Sequence, residues 1–143
     1  MLNDPSVKPF LKWAGGKAQL LHELAKFCPK NIRKYYEPFL GGGALFFFLG
    51  PKNYLLSDNN PELINLYKCV ANHPREIIQK LETMKNEESY FYDIRNKRFF
   101  ELDKIYGAAR TIYLNRTCFN GLYRVNKKGH FNVPYGKYKN PNI

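Results

Sequence analysis

Cysteine is scarce in this chain. Cys28, Cys69 and Cys118 are odd in number and widely spaced. They form neither a disulfide framework nor a metal-like pair, so reduced thiols in a cytoplasm are the expectation. Long apolar runs are missing too. The longest covers residues 44–49, far short of the roughly 20 residues of a membrane-spanning helix, and no membrane partner is expected. The start, Met1-Leu2-Asn3-Asp4-Pro5, lacks a basic flank running into an apolar stretch, so no signal peptide is expected. Acidic residues are few: 12 against 23 Lys and Arg, a formal net charge of +11. From residue 111 to 143 there are six Lys or Arg and no Asp or Glu. A solvated surface usually mixes signs, so this one-sided tail points to a polyanion. Charge alone leaves DNA, RNA and an acidic protein open.

What is present suits one ordinary domain core, or a core with a small appendage, in 143 residues. Hydrophobic content of 44% and charged content of 24% describe a globular chain. Residues 17–26 read as a helix with Leu20, Leu21 and Leu24 on one face, stopped by Pro29. Residues 35–39 read as a strand, 44–49 as a short buried helix, and 53–57 as a second strand ending at Asp58. Asn60-Pro61-Glu62 is a helix start, with Asn as cap, Pro in the first helical position and Glu near the positive end. Leu63, Ile64, Tyr67 and Val70 then share a face. Pro74 begins a helix carrying Ile77, Ile78, Leu81 and Met84, and residues 87–102 and 108–115 read as helical. Residues 122–125 and 130–133, joined by Asn126-Lys127-Lys128-Gly129, read as a β-hairpin ended by Pro134 and Gly136.

Two segments carry chemistry near the start. In Glu37-Pro38-Phe39-Leu40-Gly41-Gly42-Gly43 a strand runs into a glycine turn and then a helix, which lets backbone approach a ligand closely. Asp58, at the end of the next strand, can accept hydrogen bonds from ribose hydroxyls; alternatively it is an ordinary helix cap. No Gly-Lys-Ser or Gly-Lys-Thr follows the glycines, which favours a nucleoside without phosphates. In Lys12-Trp13-Ala14-Gly15-Gly16-Lys17 the single Trp can stack on a purine or pack over a cofactor, and Lys17 can reach a carboxylate. The plainer alternative is a Trp plugging the core beside a loop. Near the end, a cationic hairpin carries aromatics. Arg can pair bidentately with guanine and an aromatic can wedge into a base stack, unless this is only an edge hairpin with solvated lysines. His22, His73 and His130 have no evident catalytic partners and read as surface residues.

These segments together resemble one family. Phe10-Leu-Lys-Trp-Ala-Gly-Gly-Lys17, then Tyr36-Glu-Pro-Phe-Leu-Gly-Gly-Gly43, then Asp58-Asn-Asn-Pro-Glu-Leu-Ile-Asn65, then Asn115-Arg-Thr-Cys-Phe-Asn-Gly-Leu-Tyr-Arg124 running on to Gly129-His-Phe-Asn-Val-Pro-Tyr-Gly136, look like the N-terminal portion of the Dam-type (D12 class) adenine-specific DNA methyltransferases. The likeness covers residues 9–141. It implies an α/β fold: a partial Rossmann-like S-adenosylmethionine-dependent methyltransferase domain over 1–60, and over 61–143 an inserted target recognition domain of helices and a basic β-hairpin. It implies that Trp13, Lys17, Glu37, Phe39, Gly41 and Asp58 surround S-adenosylmethionine. Double-stranded DNA is the implied partner. Arg124 would read a guanine, Phe119 and Asn120 would fill the space left by a displaced base, and Leu122 and Pro134 would touch other bases. Lys12 would reach a flanking guanine, and Lys127, Lys128, Lys137 and Lys139 would meet phosphates.

One departure matters more than the matches. The family holds the flipped adenine with Asp-Pro-Pro-Tyr: an Asp side chain and a Pro carbonyl take the amine, and the Tyr stacks on the base. This chain has nine prolines and no two are adjacent. No catalytic residue is therefore assigned within it. The motif is expected beyond Ile143, in an onward segment, or on a second chain. The implied reaction is methyl transfer to the N6 amine of adenine in duplex DNA, in GATC. A non-catalytic DNA-binding remnant and an unrelated basic α/β protein, such as an RNA binder, are the competing readings. A half domain would also expose a sheet edge and apolar faces, so the chain alone is expected to be aggregation-prone or partly ordered.

Overall fold

Between Asn59 and Asn60 the chain divides into two units, each with its own set of internal contacts. The computed structural model describes residues 8–143. The leader reading made on Met1 to Pro5 lies outside the described residues.

The first unit has two three-residue strands, β1 (Tyr35–Glu37) and β2 (Tyr54–Leu56). They pair in parallel, Tyr35 opposite Tyr54 and Glu37 opposite Leu56. Parallel neighbours need a crossover, and α2 (Ala44–Leu49) supplies it. α2 has the bounds read from sequence because Gly43 and Gly50 at its ends both adopt left-handed backbone, which other residues resist. Residues 17–26 are helical in two pieces: a 3-10 turn, Lys17–Leu20, continues into α1 (Leu21–Lys26). Leu20 is exposed, so it does not share the half-buried face of Leu21 and Leu24. The strands are shorter than the expected 35–39 and 53–57, yet the pairing reaches further, with Tyr35 N–H donating to Asn53 O and Leu40 N–H to Ser57 O. Tyr36, Phe39, Tyr54 and Leu55 remain exposed.

The second unit is helical: α3 (Pro61–Asn72), α4 (Pro74–Glu82), α5 (Glu88–Asn96) and α6 (Lys104–Thr117). The Asn60 cap is made as expected, its Oδ1 accepting from the N–H groups of Glu62 and Leu63 at 3.0 and 3.3 Å. The buried face of α3 is Glu62, Leu63, Leu66 and Cys69, not the expected Leu63, Ile64, Tyr67 and Val70. The stripe is rotated because α3 buries a carboxylate. On α4, Ile77 is buried and Ile78 exposed, while Met84 packs beyond the helix end. The single helix expected over 87–102 breaks at Lys97, and a 3-10 turn follows at Phe99–Glu101. α6 is the hub, packed against α3, α4 and α5 and buried along most of its length.

The expected hairpin is reduced. Among the described residues, two isolated antiparallel bridges replace strands: Val125 with Phe131, and Cys118 with Tyr135. The turn is formed: Gly129 N–H donates to Asn126 O, and Asn126 N–H to His130 O. One limb, with Phe131 and Val133, buries its apolar side chains. The other leaves Leu122 and Val125 exposed, so no second apolar face extends the ladder.

Candidate functional site

The first unit gathers all six residues assigned to the cofactor around the turn after β1. Lys17 Nζ donates to Glu37 Oε1 at 3.0 Å and to the carbonyl of Phe39 at 3.1 Å. The carboxylate that Lys17 reaches is thus Glu37, only 6% exposed. The Tyr35 hydroxyl donates to the other Glu37 oxygen at 2.8 Å, and burial followed by that bond pushes the phenol's pKa up. Glu37 is held from both sides at the C-terminal end of β1.

Asp58 stands just beyond the C-terminal end of the neighbouring strand. Its Oδ2 accepts the N–H of Gly41 at 2.9 Å, tying the glycine turn to β2. The carboxyl ends of adjacent parallel strands are where open α/β folds place ligands. Trp13 leans on the same turn. A Cβ added at Gly41 would lie 3.2 Å from Trp13 Cδ1, and one at Gly42 would lie 3.0 Å from Trp13 Cβ. The glycines therefore admit the indole, and Gly41 also has φ +53°. Phe39 projects with 77% of its surface exposed. An indole, an exposed ring and two carboxylates fit a ligand with an aromatic base and hydroxyl or ammonium groups. That donor set suits S-adenosylmethionine better than a polyphosphate.

The second unit carries the remaining candidates, apart from Lys12, which is exposed in the first. Phe119 and Asn120 protrude in a tight turn, Asn120 with left-handed φ of 55°. Tyr138 braces it, its hydroxyl accepting the Asn120 N–H at 3.0 Å. The carbonyl of Pro134 accepts the N–H of Phe119, bringing those two together. Leu122, Arg124, Lys127, Lys128, Lys137 and Lys139 are exposed. A cavity of about 450 Å³ lies between residues 95–101 and 126–132, with Arg95, Lys97, Arg98 and Lys128 on its walls beside Glu62 and Glu101. The basic groups outnumber the acidic ones there, which suits a polyanion. Ile143 marks only the boundary past which the catalytic motif is expected. It is a half-buried aliphatic residue with no acid, base or nucleophile to offer, and it is not part of either site.

Beneath this surface is a polar network that the sequence reading missed. Arg110, 2% exposed, donates to Glu62 Oε2 at 3.3 Å, to Ile94 O at 3.1 Å and to Arg95 O at 3.0 Å. It thereby closes the C-terminal turn of α5. Thr111 and the Tyr123 hydroxyl also donate to Glu62, and Tyr123 meets the Asn60 side chain. Burial raises the pKa of Glu62, opposed by Arg110, and pushes Tyr123 up to about 12. Asn115 donates to Gly121 O at 3.0 Å, and Asn86 to Tyr138 O at 2.8 Å, fastening the exposed loop to the helices. The only sequence signal for Arg110 and Glu62 was a charge at a buried helical position, legible once the helix faces were known.

The model of the D12 class N6 adenine-specific DNA methyltransferases matches residues 13–143. The chain belongs to that family. Among its relatives, the type II methyltransferase M.MjaIII of Methanocaldococcus jannaschii is 46% identical, the match covering 96% of this chain and 55% of that protein. The type II methyltransferase M1.LlaDCHI of Lactococcus lactis is 44% identical over 99% of this chain and 52% of its own length. A DNA adenine methylase of Vibrio cholerae is 39% identical over 94% and 50%. The chain thus spans about half the length of the curated relatives it matches. The helices and small parallel sheet of the chain are compatible with an α/β fold. No helix among the described residues is long and apolar enough to cross a membrane.

Proposed function

We propose that this chain is the N-terminal half of a DNA adenine-N6 methyltransferase, carrying the S-adenosylmethionine cradle and the DNA-reading surface. The convergence of Trp13, Lys17, Glu37, Phe39, Gly41 and Asp58 on one glycine turn carries the reading. In it, residues 1–60 are the partial Rossmann-like part and 61–143 the target recognition domain. Asp58 and Glu37 take polar groups of the cofactor, Trp13 and Phe39 its flat or apolar parts, and Lys17 fixes Glu37. The cofactor supplies an electrophilic methyl group on its sulfonium.

On the DNA side, Arg124 reads a guanine of GATC and Lys12 a flanking one. Phe119 and Asn120 occupy the gap left by the flipped adenine, with Leu122 and Pro134 against neighbouring bases. Lys127, Lys128, Lys137 and Lys139 neutralise phosphates, which add affinity without sequence choice. The catalytic Asp-Pro-Pro-Tyr lies on a segment beyond Ile143, which also covers the exposed Tyr36, Tyr54 and Leu55.

The test joins this chain to a segment bearing Asp-Pro-Pro-Tyr and supplies cofactor with a labelled methyl group. Label on N6 of adenine in a GATC duplex is expected. Specific DNA binding with no transfer, even in the joined form, would leave a non-catalytic DNA-binding module.

A further inference from the structure

Arg124 does not project unsupported. Its Nε–H donates to the side-chain oxygen of Asn132 at 2.8 Å, and its Nη2 reaches the Asn132 carbonyl at 3.4 Å. The backbone answers, with Asn132 N–H donating to Arg124 O at 3.0 Å. The two residues therefore face each other beside the Val125–Phe131 bridge. Their register is fixed from below. Phe131 and Val133 are buried on either side of Asn132, so Asn132 must point to the other face. Tyr123, next to Arg124, is tied inward through its hydroxyl to Glu62 and Asn60.

We propose that Asn132 is a positioning residue for base readout, holding the Arg124 guanidinium so that its end-on fork faces DNA. This rests on the assignment of Arg124 to a guanine. The chemistry is specific. A guanidinium has five N–H donors in a plane, and bidentate recognition of guanine O6 and N7 can use one from each terminal nitrogen. The Asn132 side-chain oxygen takes the Nε–H, a donor that this end-on mode does not use. It leaves the Nη1 hydrogens and the outer Nη2 hydrogen as the fork. A long exposed Arg otherwise loses rotamer freedom on binding, and the tether meets that cost beforehand. Asn132 makes no base contact in this account; its effect passes through Arg124.

The experiment measures equilibrium binding of the full chain to short duplexes that carry GATC or each alternative base pair at the guanine position. The readout is the discrimination ratio, not affinity alone. Arg124→Ala is expected to cut discrimination by about tenfold or more. Asn132→Ala should cut it at the same base pair by about three- to tenfold, and Asn132→Gln, which shifts the oxygen by one methylene, should do likewise if the alanine variant unfolds. Asn132→Asp restores the ratio because it keeps the acceptor, while lowering affinity for every duplex through its charge. The double variant should discriminate no worse than Arg124→Ala. A normal ratio in folded Asn132→Ala and Asn132→Gln, with Arg124→Ala relaxed, overturns the positioning role. A normal ratio in Arg124→Ala removes the guanine assignment itself, and this inference with it.

Discussion

At the scale of single residues, the costliest arrangement is the buried pair of Arg110 and Glu62. Arg110 donates to two carbonyls of α5 as well as to the carboxylate, so its loss takes a donor from three acceptors and leaves the buried Glu62 without its counter-charge. Arg110→Ala should destabilise the chain by about 3–5 kcal/mol, measured by urea unfolding at neutral pH. The pair also sets a pH dependence. Burial raises the folded-state pKa of Glu62 above its unfolded value. Below the ordinary glutamate range the carboxyl is protonated in both states. As pH rises, the unfolded chain ionises first, so this group's contribution to stability falls until the folded carboxyl ionises too. Glu62→Gln should remove that fall from the urea midpoint, and Arg110→Ala should steepen it. Arg110 did not stand out in the sequence, and Glu62 was read only as an acid in the first turn of its helix. A charge on an amphipathic stripe reads as a solvated edge, and only the partner on a distant helix shows that it is buried. Trp13, Lys17, Gly41 and Asp58 were legible because each sits in a short motif whose spacing survives without the fold.

At the scale of elements, legibility follows the strength of local punctuation. α3 starts where Asn60-Pro61-Glu62 says it should, since one side chain takes two N–H groups that helix geometry leaves without partners. Asn60→Ala should cost about 0.5–2 kcal/mol in thermal or urea unfolding. Its further contact with Tyr123 makes the upper part of that range the expected result. α6 was read too short for a physical reason. It is buried on most sides, so Ala108, Ala109, Tyr113 and Leu114 mark no single stripe. Its cap, Asp103, accepts the N–H of Tyr106 and sets the true start. The hairpin was read too regular. Its turn chemistry is real, with Asn126 Oδ1 accepting from Lys128 and His130 N–H. Yet its first limb turns only Tyr123 inward and leaves Leu122 and Val125 exposed, and a strand with so little buried face does not extend pairing.

At the scale of the whole molecule, each unit concentrates one kind of chemistry. The first holds carboxylates and aromatic rings around a glycine turn. The second presents cations and protruding side chains on a helical base, and its share of the one-sided charge was visible from composition alone. Exposed apolar groups on the first unit are consistent with a chain that matches only about half the length of its relatives. The central claim is that the glycine turn of the first unit is an S-adenosylmethionine cradle. Photocrosslinking of labelled S-adenosylmethionine to the full chain, followed by peptide mapping, addresses it most directly. The account predicts label on the peptide containing Trp13, competed by excess unlabelled cofactor and lost in Asp58→Ala with DNA affinity nearly unchanged. Label that is absent, indifferent to competitor, or undiminished in Asp58→Ala would contradict it.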